Sequence, residues 1–344
     1  MWTKWFSVRG LVVLIHVVKI STKVGKKLEL STISSILSIF VALTLYMYKT
    51  TEIASSEITS DNPVHQRLLF PYEYVSQLVS GNLLEIGCGT GRGVAVLSNQ
   101  ISNYTGVDKN EELLNKLSKE YPNFTFVDMF LPPLKDIPSD SFDYVVTFQV
   151  IEHIENDDYF LKEAARVLKP GGKLYLTTVN KKFSLTRNPW HVREYLAHEL
   201  EALMQKHFAQ VETLGVHGNE KVMAYYEENK KSVQKITRFD IFNLQYKLPR
   251  TWLQVPYDIA NRMSRVLAAK SNAKLVSDIQ VNDYFISDKP ADSLDFFSQT
   301  NLSNDEVRAK LISYLQKIDT TIKQNFVVSK GAYKNELTNA MLSS

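Results

Sequence analysis

The chain has 344 residues, 44% of them hydrophobic and 22% charged, which is the composition of a folded globular protein and not of a disordered one. Its formal net charge of +3 is too small to indicate nucleic-acid binding, so we expect no nucleic-acid partner. The one cysteine, Cys88, excludes a disulfide within the chain and favours a reducing compartment. These numbers predict a cytoplasmic location.

Residues 1–50 form a hydrophobic and basic N-terminal extension. Residues 31–48 carry no charge, but a membrane span needs about 20 apolar residues, and this segment is diluted by Ser and Thr. Three interpretations stay open. Residues 10–48 anchor the chain at the cytoplasmic face of a membrane, they form a cleaved signal without the usual cleavage motif, or Met47 is the true start and the residues before it are an upstream extension.

A glycine-rich stretch, Leu83 to Gly93, begins the main part of the chain. An apolar run ends in Glu85, and Gly87, Gly89 and Gly91 follow at every second position. This pattern predicts a strand, a tight turn and the start of a helix, whose free N–H groups suit an anionic ligand. Dinucleotide binding requires G-x-G-x-x-G, and Arg92 stands at the place of the third glycine. An NAD(P)-dependent oxidoreductase is therefore disfavoured but remains an alternative.

Further strands with polar residues at their ends follow along the chain. Asp108 ends the second predicted strand, Asp128 and Met129 follow the third, and Gln149 follows the fourth, Tyr144–Phe148. A fifth, Leu174–Thr178, comes after a Lys-Pro-Gly-Gly turn. Because open α/β sheets bind ligands at the carboxyl ends of their parallel strands, these side chains are predicted to share one site.

The acid-x-G-x-G-x-G pattern, the run Ser141–Val146 and the Glu152-His153-Ile154 segment resemble the class I S-adenosylmethionine (SAM) methyltransferases. The resemblance is to small-molecule enzymes with type 11 or type 25 domains. It implies an α/β, Rossmann-like seven-stranded sheet with an antiparallel last strand and a helical cap insert before that strand. It also implies SAM as cofactor and methyl transfer to an O, N or C nucleophile.

The resemblance gives each cofactor-side residue an expected role. The glycine loop wraps the methionine part, with Cys88 as a small residue beside it. Glu85 accepts a hydrogen bond from the cofactor's amino group, and Asp108 accepts from both ribose hydroxyls. Asp128 and the backbone N–H of Met129 bind the adenine, Met129 or Phe130 lies against its face, and Gln149 lies beside the sulfonium.

Residues 188–195 read Asn-Pro-Trp-His-Val-Arg-Glu-Tyr and resemble a segment over the active-site mouth of small-molecule methyltransferases. His191 is the first candidate for a general base, because imidazole titrates near neutral pH. Arg193 is a candidate to position an acidic substrate. The alternative is a loop fixed by hydrogen bonds among His191, Arg193 and Glu194.

His153 is the second catalytic candidate, with a structural role as the alternative. Quinone-biosynthesis O-methyltransferases carry an E-x-x-E-H cluster that can hold a divalent ion, but Gln149 replaces the first acid here. A carboxamide is a poorer ligand for a hard cation than a carboxylate. We therefore predict no metal, and a helix-capping role for Glu152.

The predicted organisation is an extension at 1–50, a SAM-binding core at 60–218, a helical cap insert at 219–290, a last core strand at 291–300 and a C-terminal helix and tail at 301–344. The expected acceptor is a small molecule, a lipid-like or lipid-linked compound, or a glycan. A catalytically silent SAM-binding interaction protein, associated with a membrane, is the alternative from another class.

Overall fold

The computed structural model of the protein describes residues 61–238, 240, 243–254, 257–258, 261 and 273–301. The predicted N-terminal extension and the predicted C-terminal helix lie outside these residues. None of the helices in the described ranges is both long enough and apolar enough to cross a membrane. Membrane association through residues 10–48 and the start at Met47 remain predictions.

The described residues form an α/β fold. The strands are β1 Asn82–Ile86, β2 Asn103–Asp108, β3 Thr125–Asp128, β4 Phe142–Phe148, β5 Leu168–Val179, β6 Gln210–Gly218, β7 Tyr284–Ser287 and β8 Asp295–Asn301. The helices are α1 Asn62–Ser76, α2 Arg92–Leu97, α3 Glu111–Glu120, α4 Asp157–Val167, α5 Ala197–Met204, α6 Glu220–Thr237, α7 Leu244–Lys247 and α8 Ala273–Asp278.

The strands form one sheet in the order β3-β2-β1-β4-β5-β8-β6-β7. Strands β1 to β5 pair in parallel, whereas β8 lies antiparallel between β5 and β6. This confirms the Rossmann-like sheet and the antiparallel last strand. Because the parallel strands all point the same way, their carboxyl ends meet at one edge, which carries every predicted site residue that follows a strand.

The sheet has eight strands, one more than predicted. The additional strand, β7, lies inside the predicted insert at 219–290 and pairs antiparallel with the last four residues of β6. The sequence indicates an extended segment at Ile279–Ile286 that could return to the sheet, and the strand observed there is shorter, Tyr284–Ser287.

Successive side chains of the strands point to opposite faces of the sheet and pack in two core layers. Leu84, Val145 and Phe296 point to the layer that buries α4 and α5, while their neighbours Leu83, Val146 and Phe297 point to the layer that buries α1 and α2. This is the period of two expected of strands covered on both faces. Cys88 belongs to a smaller cluster with Leu114 and Leu117 of α3.

The chain divides into two compact units, of which the larger contains the whole sheet. The smaller unit includes residues 187–190 and the described part of 228–277. Within it, the Arg187 side chain donates to the carbonyl oxygens of Gln245, Tyr246 and Leu248, and the Trp190 indole donates to Asp258. The described part of the insert contains the helices α6, α7 and α8 and the strand β7, and its role as a cap stays a prediction.

Candidate active site

The loop after β1 has a backbone conformation that favours glycine. φ is 81° at Gly87 and Gly91 and 50° at Gly89. A Cβ at Gly87 would overlap Val150, and one at Gly91 would overlap Leu117, so these two glycines allow close packing. Nothing lies within 4 Å of the Cβ position of Gly89. Gly89 therefore has open space beside its backbone, which fits a loop that wraps a ligand.

Glu85 lies beneath this loop and is 1% exposed. Its two carboxylate oxygens accept hydrogen bonds from the hydroxyls of Tyr72 at 2.6 Å and Tyr104 at 2.5 Å. Burial raises the pKa of Glu85 to about 7. A side chain at Gly93 would collide with this carboxyl group, so the fourth glycine of the stretch makes room for it. That Glu85 also accepts a hydrogen bond from the cofactor's amino group stays a prediction.

Asp108 joins the end of β2 to the glycine loop. Its Oδ2 accepts from the Gly89 N–H at 2.9 Å and its Oδ1 from the Asn110 N–H at 3.0 Å. A carboxylate has about four lone-pair positions, so each oxygen can accept one more donor. The geometry is compatible with Asp108 binding two ribose hydroxyls while it also orders the loop.

The corner after β3 corrects one expectation. The N–H of Met129 donates to the carbonyl of Asp108 at 2.9 Å, so it is not available as the predicted adenine donor, and the Met129 side chain packs into the core. The backbone of Asp128 pairs with Asp108 in the sheet, while its side chain is exposed and forms no hydrogen bond with the residues that the structure describes. Phe130 is 78% exposed, and its ring can lie against a planar ligand.

Cys88 lies within the loop after β1, and Gln149 directly follows β4, the strand that pairs with β1. Cys88 is buried, and burial raises the pKa of its thiol, which agrees with the expectation that it is not a nucleophile. Gln149 has φ of 58°, in the left-handed region that is costly for a residue with a side chain. Its amide donates to the Thr177 hydroxyl at 3.3 Å, which fixes its direction at the end of β4.

A second group of polar residues begins at the 3₁₀ turn Ile151–His153, directly after β4. Glu152 is 1% exposed, and burial raises its pKa to about 7. Its side chain accepts from the Thr178 hydroxyl at 2.9 Å. The predicted helix-capping role of Glu152 is wrong, because Asn156 caps α4 by accepting from the Tyr159 N–H.

The segment that contains His191 is bound to this turn. The N–H of Val192 donates to the Glu152 carbonyl at 2.6 Å, and His191 Nδ1 lies 2.6 Å from Glu194 Oε1. The rings of His153 and His191 meet edge to face, with centroids 5.0 Å apart. The structure therefore brings both catalytic candidates together, although 38 positions of sequence numbering separate them.

Glu152, His153 and His191 each offer a ligand atom, and these atoms lie within 4.8 Å of one another. Imidazole nitrogens and a carboxylate oxygen are the ligand types of divalent transition metals. The sequence had linked Glu152 and His153 but not His191. The prediction that the site needs no metal is not tested by this geometry.

Arg193 pairs with an acid at the start of α4. Its guanidinium donates to Asp157 Oδ2 at 2.7 Å, and the Tyr195 hydroxyl donates to the same oxygen at 2.8 Å. Arg193 therefore holds its own loop to the start of α4, and its positioning of an acidic substrate stays a prediction. Nothing in the sequence indicated that Arg193 would pair with Asp157, which lies 36 positions earlier in the chain.

Comparisons with known proteins agree with this geometry. Residues 84–176 match the family model described as "Methyltransferase domain". Over 155 residues the chain is 37% identical to a probable S-adenosylmethionine-dependent methyltransferase of Mycolicibacterium smegmatis, a match that covers 43% of this chain and 60% of that protein. A protein of the same description from Mycobacterium tuberculosis is 35% identical over 146 residues, covering 41% and 51%.

The mitochondrial ubiquinone biosynthesis O-methyltransferase of Dictyostelium discoideum is 30% identical over 142 residues, which cover 37% of this chain and 41% of that protein. The matches thus span 41% to 60% of the length of these three relatives. The matched region includes the glycine loop, Asp108, Asp128, Gln149 and His153. Residues 84–176 therefore match a methyltransferase domain of the type 11 kind, and the relatives that match this region are named for S-adenosylmethionine, which supports SAM as the cofactor.

Proposed function

We propose that this protein transfers the methyl group of SAM to a hydroxyl of a small-molecule, lipid-linked or glycan acceptor, with His191 as the general base. The observation that carries the proposal is the 2.6 Å contact between His191 Nδ1 and Glu194, beside the turn that follows β4. The Dictyostelium relative is named an O-methyltransferase, which supports an oxygen acceptor for this chain.

Glu194 gives His191 a defined tautomer. A carboxylate accepts from an N–H, so the proton is held on Nδ1 and the lone pair lies on Nε2. An Nε2 lone pair can take a proton from an alcohol, which is too weak an acid to lose it unaided. Glu194 also fixes the plane of the ring, so its position does not depend on the acceptor.

SAM supplies a methyl group on a sulfonium, which is already a good leaving system. The residues of the chain then have three tasks: to hold the cofactor, to align the acceptor and to remove its proton. As the acceptor oxygen forms its bond to the methyl carbon, the bond from carbon to sulfur breaks and S-adenosylhomocysteine results. The proton of the hydroxyl passes to His191.

Residues at or just after the ends of β1 to β4 are the candidates to bind the cofactor. Asp108 is suited to bind the ribose, because it lies at the end of β2 and its oxygens can accept further hydrogen bonds. Asp128 and the ring of Phe130 are suited to bind the adenine, because they lie at or just after the end of β3 and are exposed. Gln149, held in its direction by Thr177, is suited to the neighbourhood of the sulfonium.

The test is release of S-adenosylhomocysteine from SAM with a panel of phenols, methyl glycosides and long-chain alcohols. His191→Asn should lower kcat by about 10²- to 10⁴-fold, the usual contribution of a general base, and leave SAM affinity by calorimetry within twofold. The matched control is His198→Asn, at an exposed histidine of α5, which should leave both values unchanged. Unchanged kcat in His191→Asn would contradict the role of the base.

Two further results would redirect the proposal. Loss of turnover in EDTA, with recovery on adding Mg²⁺, Mn²⁺ or Zn²⁺, would assign Glu152, His153 and His191 to a cation instead. Binding of SAM without release of S-adenosylhomocysteine for any acceptor would support the silent interaction protein.

A further inference from the structure

A buried ion pair lies at the same edge of the sheet, on elements that the predicted site did not include. Nε of Arg67, in α1, is 3.3 Å from Oδ2 of Asp295, the first residue of β8. Asp295 is 2% exposed and pairs with Val179, the last residue of β5, and with Val216 of β6. Asp295 therefore lies where two strands approach their carboxyl ends.

Although the two charges are paired, two polar atoms of the pair have no hydrogen-bond partner among the described residues. Asp295 Oδ1 and Arg67 Nε are both buried, and neither forms a hydrogen bond of good geometry with any residue in the described ranges. An unsatisfied buried polar atom costs about 1–3 kcal/mol, so such atoms are normally completed by a ligand or an ordered water. The Nε–H of Arg67 can therefore donate, and Oδ1 of Asp295 can accept, a hydrogen bond with a group from outside the described residues.

The pair also lies near the proposed base site, because Glu152 accepts from the hydroxyl of Thr178, and Val179, the next residue of β5, pairs with Asp295. Asp295 makes the largest contribution to raising the pKa of Arg67, and Tyr284, Tyr225 and Glu152 raise it further. Burial raises the pKa of Asp295, while Arg67 and His191 act against it. The Arg67 side chain as a whole is 28% exposed, so part of it is open to solvent although its Nε is buried.

The charges define what the pair can bind. Arg67 attracts an anion, but Asp295 and, when ionised, the buried Glu152 repel it, so a negatively charged group gains little. An alcohol hydroxyl can accept from the Arg67 N–H and donate to Asp295 Oδ1 at the same time. A neutral hydroxyl therefore satisfies both atoms, which a carboxylate or an ammonium cannot do.

We propose that Arg67 and Asp295 form a polar subsite that binds a second hydroxyl of a neutral, polyhydroxylated acceptor, of which a glycoside is the simplest form. The subsite rests on the proposed function, because it orients an acceptor whose other hydroxyl faces His191. Arg67 and Asp295 then select the acceptor, and His191 activates it.

The test uses three probes with the same ring and different charge: methyl β-glucoside, glucuronate and glucosamine. Their binding to the full chain, in the presence of S-adenosylhomocysteine, is measured by saturation-transfer NMR. The neutral glucoside should bind, with glucuronate and glucosamine at least tenfold weaker. Equal or tighter binding of glucuronate, or no binding of the glucoside, would overturn the subsite.

The double variant Asp295→Asn/Arg67→Gln removes both charges together, so that no unpaired buried charge remains. It should weaken glucoside binding at least tenfold and keep SAM affinity. The matched control is Asp292→Asn/Lys182→Gln, an exposed pair 2.8 Å apart, which should change neither. Unchanged glucoside affinity in the double variant would mean that the pair serves only the fold.

A single variant covers the case in which the double variant does not fold. Arg67→Lys keeps the charge beside Asp295 but replaces the planar guanidinium, and should raise the KM for a glycoside acceptor with little change in kcat. An unchanged KM would count against the subsite. Failure of the proposed function has a different signature, because His191→Asn would then keep its turnover while glucoside binding still depends on Arg67 and Asp295.

Discussion

The carboxylates in the two halves of the sheet's carboxyl edge have different hydrogen-bond partners. In the cofactor half, both oxygens of Glu85 accept from tyrosine hydroxyls, and both oxygens of Asp108 accept from backbone N–H groups. In the acceptor half, Asp295 is 2% exposed and its Oδ1 has no partner among the described residues. The protein itself satisfies Glu85 and Asp108 in the cofactor half, whereas in the acceptor half we propose that the acceptor satisfies Asp295.

This difference predicts opposite responses to substitution. Changes in the cofactor half should disturb folding and SAM affinity together, because the same groups serve both. Changes in the acceptor half should alter acceptor affinity or kcat while SAM affinity stays constant. Four experiments test this contrast, from the largest expected effect to the smallest.

Gly93→Ala should have the largest effect. A Cβ at this position would meet the buried carboxyl of Glu85 and the ring of Tyr72, and neither can move without breaking the hydrogen bond between them. We expect a loss of about 3 kcal/mol in the free energy of unfolding, measured in urea, which is the upper range for overpacking. A variant as stable as the wild type would show that the Glu85 network is loosely held.

Gly89→Ala and Gly171→Ala are the matched comparison for Gly93→Ala. Both glycines have positive φ and nothing within 4 Å of the Cβ position, so each substitution should cost about 1 kcal/mol of backbone strain. Only Gly89→Ala should also abolish SAM binding, because Gly89 lies in the loop predicted to wrap the cofactor and Gly171 does not. Equal SAM affinity in Gly89→Ala and Gly171→Ala would contradict the prediction that the cofactor lies beside Gly89.

The second experiment uses the pKa of Glu85, which is raised from its ordinary 4.5 to about 7. Between these pH values the unfolded chain releases a proton that the folded protein keeps, so this group makes the free energy of unfolding fall as pH rises from about 4.5 to about 7. The difference between the pKa values of the folded and unfolded states corresponds to a change of about 3 kcal/mol at most in the free energy of unfolding. Glu85→Gln, which resembles the protonated acid, should flatten this slope in urea unfolding.

The control for Glu85→Gln is Glu73→Gln, at an exposed position of α1, which should leave the slope as in the wild type. A slope that is the same in all three proteins would mean that Glu85 is ionised in the fold across this range.

The third experiment compares Asp108→Ala with Asp128→Ala in SAM calorimetry. Asp108 is expected to hold two ribose hydroxyls and also holds the Gly89 N–H, so its loss should weaken binding about a hundredfold or more, at about 1.5–3 kcal/mol for each hydrogen bond to a charged group. Asp128 is exposed, and its loss should cost about tenfold. Equal effects would mean that Asp108 does not order the loop.

The smallest effect belongs to Arg193→Ala. Arg193 is 56% exposed on its side chain where it pairs with Asp157, and such partly exposed pairs contribute about 1 kcal/mol or less to the free energy of unfolding. The KM for a neutral acceptor should stay unchanged. A large rise in KM for an acidic acceptor would instead support the substrate-binding role expected from the sequence.

Sequence predicted those features that depend on local signals. The bounds of β1 and the turn at the glycines follow from an apolar run and residues with free φ, and Asp108 follows from its place at a strand end. The partners of these groups could not be predicted. Nothing in the residue pattern links Glu85 to Tyr72 and Tyr104, or joins Arg67 to Asp295 across most of the described chain, because such contacts arise only when the sheet is assembled.

The place of β8 has a consequence for how the chain is made. This strand lies between β5 and β6 in the sheet but follows both in the chain. During synthesis, β5 and β6 leave the ribosome before the strand that joins them, and each then presents an unpaired edge that can bind other chains. The nascent protein is therefore exposed to aggregation until residue 301 has emerged, and Asp295 reaches Arg67 only at that last step.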